Sequence, residues 1–468
     1  MRNPSSSPRR FERLTRSWLS CPLASQLGWV VVPFGVQQVI RLGTQIALAR
    51  MLAPEMFGLM LLVNTLRTGA ELLSDIGIGQ SVVRSPNGDA RNFLNVAWTL
   101  QVLRGAGLTA LMLGLAYPIA SIYRQPELLL IILTVSPIFL ISGLMSPSLF
   151  VAQRQFKLKT RAIYDILNVV FACAITIALA WIMPNVWALV LGLMISTLFG
   201  TVISFFLGDG FRPRLAWDRS HVAQILHFGK WIFFSTALYY AATSFDRMYF
   251  VGVLSLTLAG VFGIARTFSD MLGALAQRAG AYIVFPKVVA LVERRSEVAP
   301  RLRATRRKML MLVAIVTGLG IAMSDEFILL AYDARYHAAA FMIPVLLVSM
   351  WFGILSTFAD SMLMGCGRPA PGAWANGAKF GVMLVGLPHA VARGDMMQAL
   401  AVLIAAEVAR WLFLIPASRA ERFAKVRDDV FLTGLLVFVA VGAKVLLGFA
   451  GIVPNPAQWW AMRELLYV

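Results

Sequence analysis

Charged residues recur inside stretches of the chain that are otherwise apolar, and several of them are separated by whole helical turns. Arg67, Glu71 and Asp75 follow one another at intervals of four, so that in a helix they form one column. Glu407 and Arg410 are one turn apart in a later stretch. An arginine presents a planar fork of donors that matches a phosphate, whereas a carboxylate can take up a proton or a cation. The pattern predicts contacts with an anionic ligand, coupling to an ion, or both.

The charges that lie inside or at the edges of the apolar stretches are more often basic than acidic. The basic residues are Arg41, Arg67, Arg104, Lys230, Arg247, Arg266, Arg278, Lys379, Arg410 and Lys444. The acidic residues are Glu71, Asp75, Asp165, Asp246, Asp270, Asp360 and Glu407. A charge that faces lipid near the bilayer midplane costs about 2.5–3.5 kcal/mol on insertion scales. Most of these residues must therefore line a wet cavity or form pairs, and the basic excess predicts a cavity that suits an anion.

Two interpretations are open for these charges. Arg67–Glu71 and Arg266–Asp270 are either structural ion pairs within one helix or part of the cavity lining. Arg41 and Arg104 have no acidic neighbour in their own stretch, which favours a position at the cavity. Arg41 also shares a polar stripe with Gln37, Gln38, Thr44 and Gln45. Lys230, Asp360 and Lys444 are predicted to snorkel from the ends of their helices.

The candidate site is therefore a set of basic and acidic side chains with no catalytic residue. The expected substrate contacts are Arg41, Arg67, Arg104, Arg247, Arg266, Arg278 and Arg410. The expected ion-coupling residues are Glu71, Asp75, Asp270 and Glu407, with Asp75 the best single candidate. We expect no cofactor or metal, because the chain lacks a G-x-x-x-x-G-K-[ST] motif and its histidines lack metal-ligand spacing.

The elements that position these residues are predicted to be membrane-spanning helices. Of the 468 residues, 59% are hydrophobic and 14% are charged, against roughly 25% charged in a soluble domain. This composition excludes a soluble enzyme, a secreted disulfide scaffold and a disordered chain. Thirteen apolar stretches lie near 27–49, 58–82, 93–117, 128–151, 162–183, 187–207, 226–252, 257–285, 309–331, 339–363, 374–391, 396–417 and 430–451.

The formal net charge of +19 is explained by membrane topology rather than by nucleic-acid binding. With the N-terminus in the cytoplasm, few of the Lys and Arg residues outside the spans fall on the opposite side. Those few are Arg50, Arg124, Arg335, Arg393 and Arg463. The connector 286–308 is especially rich in arginine, which indicates either a plain topology signal or a contact with anionic lipid.

An internal repeat predicts two halves in parallel order. Arg67-Thr68-Gly69-Ala70-Glu71 and Arg266-Thr267-Phe268-Ser269-Asp270 both read R-T-x-x-acid, each in the second span of its half. Parallel repeats of this kind are a transporter architecture. The predicted fold is all-α, with two six-helix bundles around a central cavity and one additional C-terminal span. The expected domains are a basic segment 1–26, bundles 27–225 and 226–429, and a span with its tail at 430–468.

Several short motifs resemble those of the bacterial polysaccharide flippases, which belong to the superfamily of multidrug, oligosaccharidyl-lipid and polysaccharide exporters. Leu48 to Gly58 is similar to the L-A-R-x-L-x-P-x-x-F/Y-G turn of that family. Asp75 to Gln80 resembles its D-x-G-x-x-Q stretch, and Arg154 stands in its R-x-F segment. Asp246 to Gly252 resembles the end of its seventh span. The resemblance extends over about 25–420.

The resemblance implies two six-helix bundles and transfer of an undecaprenyl-pyrophosphate-linked glycan to the periplasmic leaflet of a bacterial inner membrane. The implied partners are this glycan, membrane lipids, and a glycan polymerase with its export machinery. The alternatives are a multidrug antiporter on the same fold and a membrane glycan polymerase. A cationic drug favours an acidic cavity, and a polymerase needs a sizeable outer segment. Neither expectation suits the basic excess or the short outer connectors.

Overall fold

The computed structural model describes residues 23–85, 88–155, 157–207, 211, 213–280, 284, 288, 298–368, 370–421 and 425–449. The predicted segment 1–26 and the tail beyond 449 lie mostly outside these residues. The helices of the first half are α1 (Leu23–Met51), α2 (Pro54–Leu73), α3 (Ile78–Arg84), α4 (Arg91–Tyr123), α5 (Pro126–Val135), α6 (Ile138–Gly143), α7 (Ser148–Arg154), α8 (Leu158–Ile182), α9 (Val186–Phe206) and α10 (Arg219–Val253). The helices that follow are α11 (Leu256–Ala279), α12 (Val298–Ala331), α13 (Ala339–Gly365), α14 (Ala370–Ala392), α15 (Met396–Ala420) and α16 (Val426–Phe449).

The protein is an all-α, multi-pass membrane protein, as the composition predicts. Ten helices of the described part are long and apolar enough to cross a membrane. Large apolar side chains remain exposed on their surfaces, among them Trp181, Phe206 and Phe449. Such surfaces are stable in lipid and not in water. The total of thirteen spans and the cytoplasmic N-terminus remain predictions.

Within the described residues, each predicted span coincides with a helical stretch, and two of the spans are interrupted there. The second span breaks between α2 and α3, where Gly77 adopts a left-handed conformation with φ 68°. The carboxylate of Asp75 accepts a hydrogen bond from the Gly77 amide at 2.9 Å. The fourth span is divided into α5, α6 and α7, with Pro137 and Pro147 at the two breaks. Proline lacks the amide hydrogen that a continuous helix needs, and glycine adopts the left-handed region without strain.

The contacts divide the chain into two units. The N-terminal unit comprises the described residues of Met1–Leu52 together with Leu62–Tyr240. In this unit α1 packs against α8, and α4 packs against the interrupted fourth span. Gly105 allows the last of these approaches, because a Cβ atom at this position would lie 2.4 Å from the Phe139 carbonyl oxygen.

The C-terminal unit comprises Ala53–Leu61 and the described residues from Ala241 onward. Helix α13 packs against α11, α12 and α15, and its Trp351 and Phe358 are among the most buried large side chains. The beginning of α2 approaches α11 closely at Gly58 and Gly260. The domain boundaries predicted from the sequence remain predictions, since these units follow contacts within the structure and divide α2 and α10.

The C-terminal helix α16 packs against α12 with an ion pair near each end. At its first turn, Arg306 Nη1 lies 2.6 Å from Asp429 Oδ1, and both side chains are buried. Near its other end, the Lys444 ammonium donates to the carboxylates of Asp325 and of Glu326, the latter at 2.7 Å. Lys444, predicted to snorkel from its helix end, thus has two carboxylate partners on α12 that the sequence analysis did not name. The set of intramembrane acids named from the sequence also omitted Asp325 and Glu326, so the basic excess is smaller than expected.

Candidate functional site

Only the first part of the column predicted in the second span is formed: Arg67 and Glu71 pair on α2, whereas Asp75 lies past the end of α2, in the break before α3. Arg67 Nη1 donates to Glu71 Oε1 at 2.9 Å across one helical turn of α2. Both side chains remain partly exposed, at 27% and 36%. The sequence identified this contact because spacing within a helix fixes which side chains are neighbours.

Arg104 extends from α4 to the break between α2 and α3. Its Nε donates to Ser74 Oγ at 2.9 Å, and its Nη2 donates to the backbone carbonyl of Glu71. Its Nη1 lies 3.9 Å from Asp75 Oδ1. The guanidinium group thus stabilises carbonyl and hydroxyl groups that the interrupted helix leaves at its end. Arg104 therefore has a structural role in addition to any contact with a ligand.

A cavity of about 380 Å³ opens beside this arginine, within the N-terminal unit. Its charged lining residues are Glu71, Asp75 and Arg104, and apolar side chains such as Leu108 and Phe139 form much of the remainder. Two carboxylates and one guanidinium give this lining a negative balance. The predicted cationic cavity would be lined by both halves of the chain, so its net charge stays a prediction.

Gln101 also lines this cavity, but its side chain serves the protein backbone. Its Nε2 donates to the carbonyl oxygens of Ser142, Gly143 and Met145, at 3.2, 3.1 and 3.2 Å. These carbonyls lie at the end of α6, where intrahelical donors are lacking. Gln101 therefore holds the end of α6 at the cavity wall through side-chain to backbone hydrogen bonds that the sequence pattern did not indicate.

In the C-terminal unit, the counterpart of the Arg67–Glu71 pair belongs to a larger network. Arg266 Nε lies 3.5 Å from Asp270 Oδ1 on the same helix, α11. Its Nη2 lies 3.4 Å from Asp246 Oδ2 on α10. Arg247, also on α10, donates to Asp270 Oδ2 at 2.6 Å. Two arginines and two carboxylates therefore neutralise one another between α10 and α11.

Asp246 is the most unusual member of this network. Its side chain is only 2% exposed, and in the described part of the chain neither carboxylate oxygen has a hydrogen-bond partner. The nearby Arg266 charge offsets the cost of burying this carboxylate without forming a well-aligned hydrogen bond. The sequence placed Asp246 in a family motif and among the intramembrane acids, but did not predict it as a site residue.

A second buried cluster connects α14 and α15. Lys379 Nζ donates to Glu407 Oε1 at 2.6 Å, with side-chain exposures of 5% and 6%. Arg410 Nη1 lies 3.8 Å from Glu407 Oε2. Gly353 on α13 leaves the space for this carboxylate, since a Cβ atom there would lie 3.2 Å from Glu407 Oε1. Lys379 was not among the predicted site residues, although a lysine in an apolar span is itself the signal for a buried partner.

The remaining predicted residues occupy varied environments. Arg41 is exposed on α1, although Gln37 of the same polar stripe is buried. Arg278 is half-buried near the end of α11. Asp360 is half-buried against Gly372 of α14. The side chain of Lys230 lies outside the described residues.

Two of the family-like motifs have structural roles. The L-A-R turn ends α1 and begins α2 at Pro54, the helix position at which proline is best tolerated. Arg154 donates to the carbonyl oxygens of Val82 and Val83 at 3.2 and 3.0 Å, and so satisfies the end of α3. Both motifs stabilise connections between helices and contribute no side chain to the clusters described above.

Comparisons with known proteins give three kinds of similarity. Residues 47–341 match the model of a family described as polysaccharide biosynthesis protein. The chain is 23% identical over 331 residues to the lipopolysaccharide biosynthesis protein WzxC of Escherichia coli (strain K12). This alignment covers 69% of the chain but 65% of WzxC, somewhat less than two thirds of that relative.

Two solved structures show the same fold at low sequence identity. The lipid II flippase MurJ, in an inward closed conformation, superposes with a TM-score of 0.71 at 10% identity. That match covers 94% of this chain and 96% of MurJ. An inward-facing multidrug resistance MATE family transporter of the MOP superfamily superposes with a TM-score of 0.63 at 15% identity. That superposition covers 88% of this chain and 98% of the transporter.

Proposed function

Because the chain belongs to the family of polysaccharide biosynthesis proteins, we propose that it is a flippase for a polyprenyl-pyrophosphate-linked oligosaccharide. The substrate is a repeat unit of a surface polysaccharide, such as an exopolysaccharide, capsule or O-antigen. It moves from the cytoplasmic to the periplasmic leaflet of a bacterial inner membrane by alternating access of the two halves. The N-terminus lies in the cytoplasm.

The observation that carries this proposal is the family match over a polytopic membrane chain. A polysaccharide pathway whose sugars are assembled on a lipid in one leaflet requires a membrane protein to move that lipid to the other. The likeness of the fold to a lipid II flippase supports the same class of substrate. A glycan polymerase and export machinery would then act on the product at the outer leaflet.

The fold is also that of multidrug transporters, so a drug antiporter is the main alternative. The two functions predict different consequences of losing the protein. Loss of a flippase traps a complete lipid-linked repeat unit on the cytoplasmic side, whereas loss of a drug antiporter raises sensitivity to its drugs and leaves the glycan unchanged. Deletion in the source cell, followed by analysis of lipid-linked intermediates, distinguishes them.

A membrane glycan polymerase is a weaker alternative. The predicted outer connectors within the described part are short: α8 and α9 are separated by 183–185, and α14 and α15 by 393–395. An outer catalytic segment would need more chain than this. Surface glycan that stays unlinked, with no trapped intermediate after deletion, would favour polymerase activity over flipping.

Within this proposal, Arg41, Arg67, Arg104, Arg247, Arg266, Arg278 and Arg410 contact the pyrophosphate or acidic sugars. Arg104 has the best support because it lines a cavity and already donates to oxygen atoms there. Glu71, Asp75, Asp270 and Glu407 are the corresponding proposals for a proton- or sodium-coupling site. Glu71 and Asp75 lie at the same cavity as Arg104.

The substrate role of Arg104 can be separated from its structural role with three variants. Arg104→Lys keeps the charge but loses the fork, and Arg104→Gln loses both. Ser74→Ala removes the hydroxyl that accepts from Nε and leaves the arginine free to bind substrate. If Arg104 binds pyrophosphate, both Arg104 variants impair glycan export at normal membrane levels while Ser74→Ala exports normally. Equal loss in all three variants would assign the arginine to the helix break alone.

A further inference from the structure

A second, larger cavity lies at the polar ends of α12 and α16, in the C-terminal unit. Its volume is about 580 Å³, within the range of about 300–1,000 Å³ typical of ligand pockets. Four basic residues and one acidic residue line it. They are Arg303, Arg307, Lys308, Lys425 and Asp428.

Helical spacing explains why the basic residues face the same space. Arg303 and Arg307 are one turn apart on α12, and Lys308 extends the same surface. The guanidinium carbon of Arg307 lies 5.3 Å from the ring centroid of Phe431 on α16, in a cation–π contact. This contact directs Arg307 toward α16, and Lys425, which immediately precedes α16, lines the same pocket.

Three of the four basic residues that line this pocket have no ion-pair partner in the described part of the chain. Among the described residues, Arg307, Lys308 and Lys425 form no ion pair, and Asp428 is the one carboxylate that lines the cavity. The adjacent Arg306 differs, because it is buried and bonded to Asp429 at 2.6 Å. The adjacent residues Arg306 and Arg307 therefore have different roles: Arg306 forms a structural ion pair, and Arg307 is an exposed cation of the pocket wall.

The pocket lies where both helices change from polar to apolar sequence. The candidate membrane spans of these helices are Arg303–Ala331 and Val426–Phe449. The first residues of each span contribute to the cavity, so the cavity is at the level of lipid headgroups rather than of acyl chains. Arginine forks and lysine ammonium groups at this depth suit a phosphate, which accepts several charge-assisted hydrogen bonds.

We propose that this pocket binds the phosphate group of an anionic membrane lipid. The site is separate from the intramembrane charge clusters, and the inference does not depend on which glycan the protein moves. An anionic lipid held here would occupy the space between the beginnings of α12 and α16. Free phosphate offers the same chemistry, and the test below distinguishes the two sources.

The experiment uses the full-length protein purified in detergent and supplied with phosphatidylglycerol, with zwitterionic phosphatidylcholine, or with inorganic phosphate. Retained lipid is measured by native mass spectrometry, and stabilisation by the shift in thermal midpoint. We expect phosphatidylglycerol to bind and stabilise the protein more than phosphatidylcholine. Arg307→Gln and Lys425→Gln should each weaken this binding about fivefold, the usual contribution of one basic residue near an anionic surface.

Two further variants make the test independent of folding defects. Asp428→Asn removes the opposing carboxylate and should strengthen binding of phosphatidylglycerol, which a misfolded protein would not do. Arg427→Gln is the matched control, because Arg427 is exposed in the same turn and does not line the pocket. Arg427→Gln should leave the binding of phosphatidylglycerol unchanged.

Phosphatidylglycerol binding that is lost only in the pocket variants supports a lipid site. Equal stabilisation by inorganic phosphate, with the same dependence on the variants, supports the phosphate chemistry but assigns a soluble source. Binding that is the same for both lipids, or that falls as much with Arg427→Gln as with Arg307→Gln, overturns the proposal.

Discussion

The Lys379–Glu407 pair provides a quantitative test of how the C-terminal unit accommodates charge. The two side chains are 5% and 6% exposed, and their charged atoms are 2.6 Å apart. Lys379→Met preserves much of the length of the side chain but removes the ammonium. Glu407→Gln preserves the shape but removes the negative charge. The two variants leave different charges behind, so their effects on stability should differ.

The magnitudes follow from the partners that remain. Breaking a buried ion pair costs about 3–5 kcal/mol in free energy of unfolding, because one charge is left uncompensated. In Lys379→Met, Glu407 still has Arg410 at 3.8 Å, so the loss in free energy of unfolding should be about 3 kcal/mol. In Glu407→Gln, Lys379 and Arg410 both lose their carboxylate. We therefore expect a loss of about 5 kcal/mol in that variant.

The double variant Lys379→Met/Glu407→Gln isolates the interaction between the two side chains. It leaves neither the lysine nor the glutamate charge, so its cost should be well below the sum of the single costs. Denaturant titration of the protein in detergent provides the free energy of unfolding of each variant. Arg393→Gln is the control, since Arg393 is exposed in a connector and should change stability by less than about 0.5 kcal/mol.

The order of the two single variants is the result that can refute this reasoning. If Glu407→Gln is as stable as the wild-type protein, the cluster is solvated and the burial argument is wrong. If Lys379→Met lowers the free energy of unfolding more than Glu407→Gln does, the uncompensated charges of Lys379 and Arg410 are not the dominant penalty. Glycan export by the same variants is a separate measurement. Lost export in a stable Glu407→Gln protein would favour the proposed coupling role of this carboxylate.

Two further predictions concern helix packing and pH. Gly260→Ala should destabilise the protein by about 1–3 kcal/mol or more, because its Cβ atom would lie 1.9 Å from the Pro54 carbonyl oxygen. Gly263→Ala is the control that should be tolerated, because its Cβ atom would lie 3.4 Å from the nearest atom of the Leu61 side chain. The side-chain hydrogen bond from Arg335 lowers the pKa of Asp333, in a connector outside the spans. Its stabilising contribution should be present above the unfolded pKa of aspartate and disappear as pH falls through the lowered value. Unfolding measured against pH should show the Asp333→Asn difference at neutral pH and none in acid; a constant difference would contradict the linkage.

The helices could be predicted from the sequence because their apolar stretches have the length that a bilayer requires. The interruptions were harder to predict. Asp75-Ile76-Gly77 was recognised as a family-like motif, yet its role depends on one hydrogen bond and on a left-handed glycine. Apolar periodicity over 58–82 continues through this break and conceals it. Backbone conformation at a turn is set by local bonding that a hydrophobic pattern does not encode.

The charged contacts likewise include some that the sequence predicts and some that it does not. Arg67–Glu71 was predictable, because both residues are on one helix and the spacing determines their distance. Contacts between helices were not, since they depend on how the helices pack. No sequence pattern pairs Lys379 with Glu407, which are separated by a connector, or Arg104 with Ser74. The partners of Lys444 were not predictable for the same reason, because they lie on α12, far away in the sequence.

The R-T-x-x-acid repeat consequently has two different physical settings. In the N-terminal unit, Glu71 lines an open cavity and the paired Arg67 side chain is 27% exposed, so the pair is partly open to its surroundings. In the C-terminal unit, Arg266 is only 8% exposed and lies near a second carboxylate, that of Asp246. Removing Arg266 would leave the buried Asp246 carboxylate without its cation. The main effect should therefore be a loss of stability rather than of substrate binding. Substitutions at Arg67 are therefore the better probe of substrate contact, and substitutions at Arg266 are the better probe of folding.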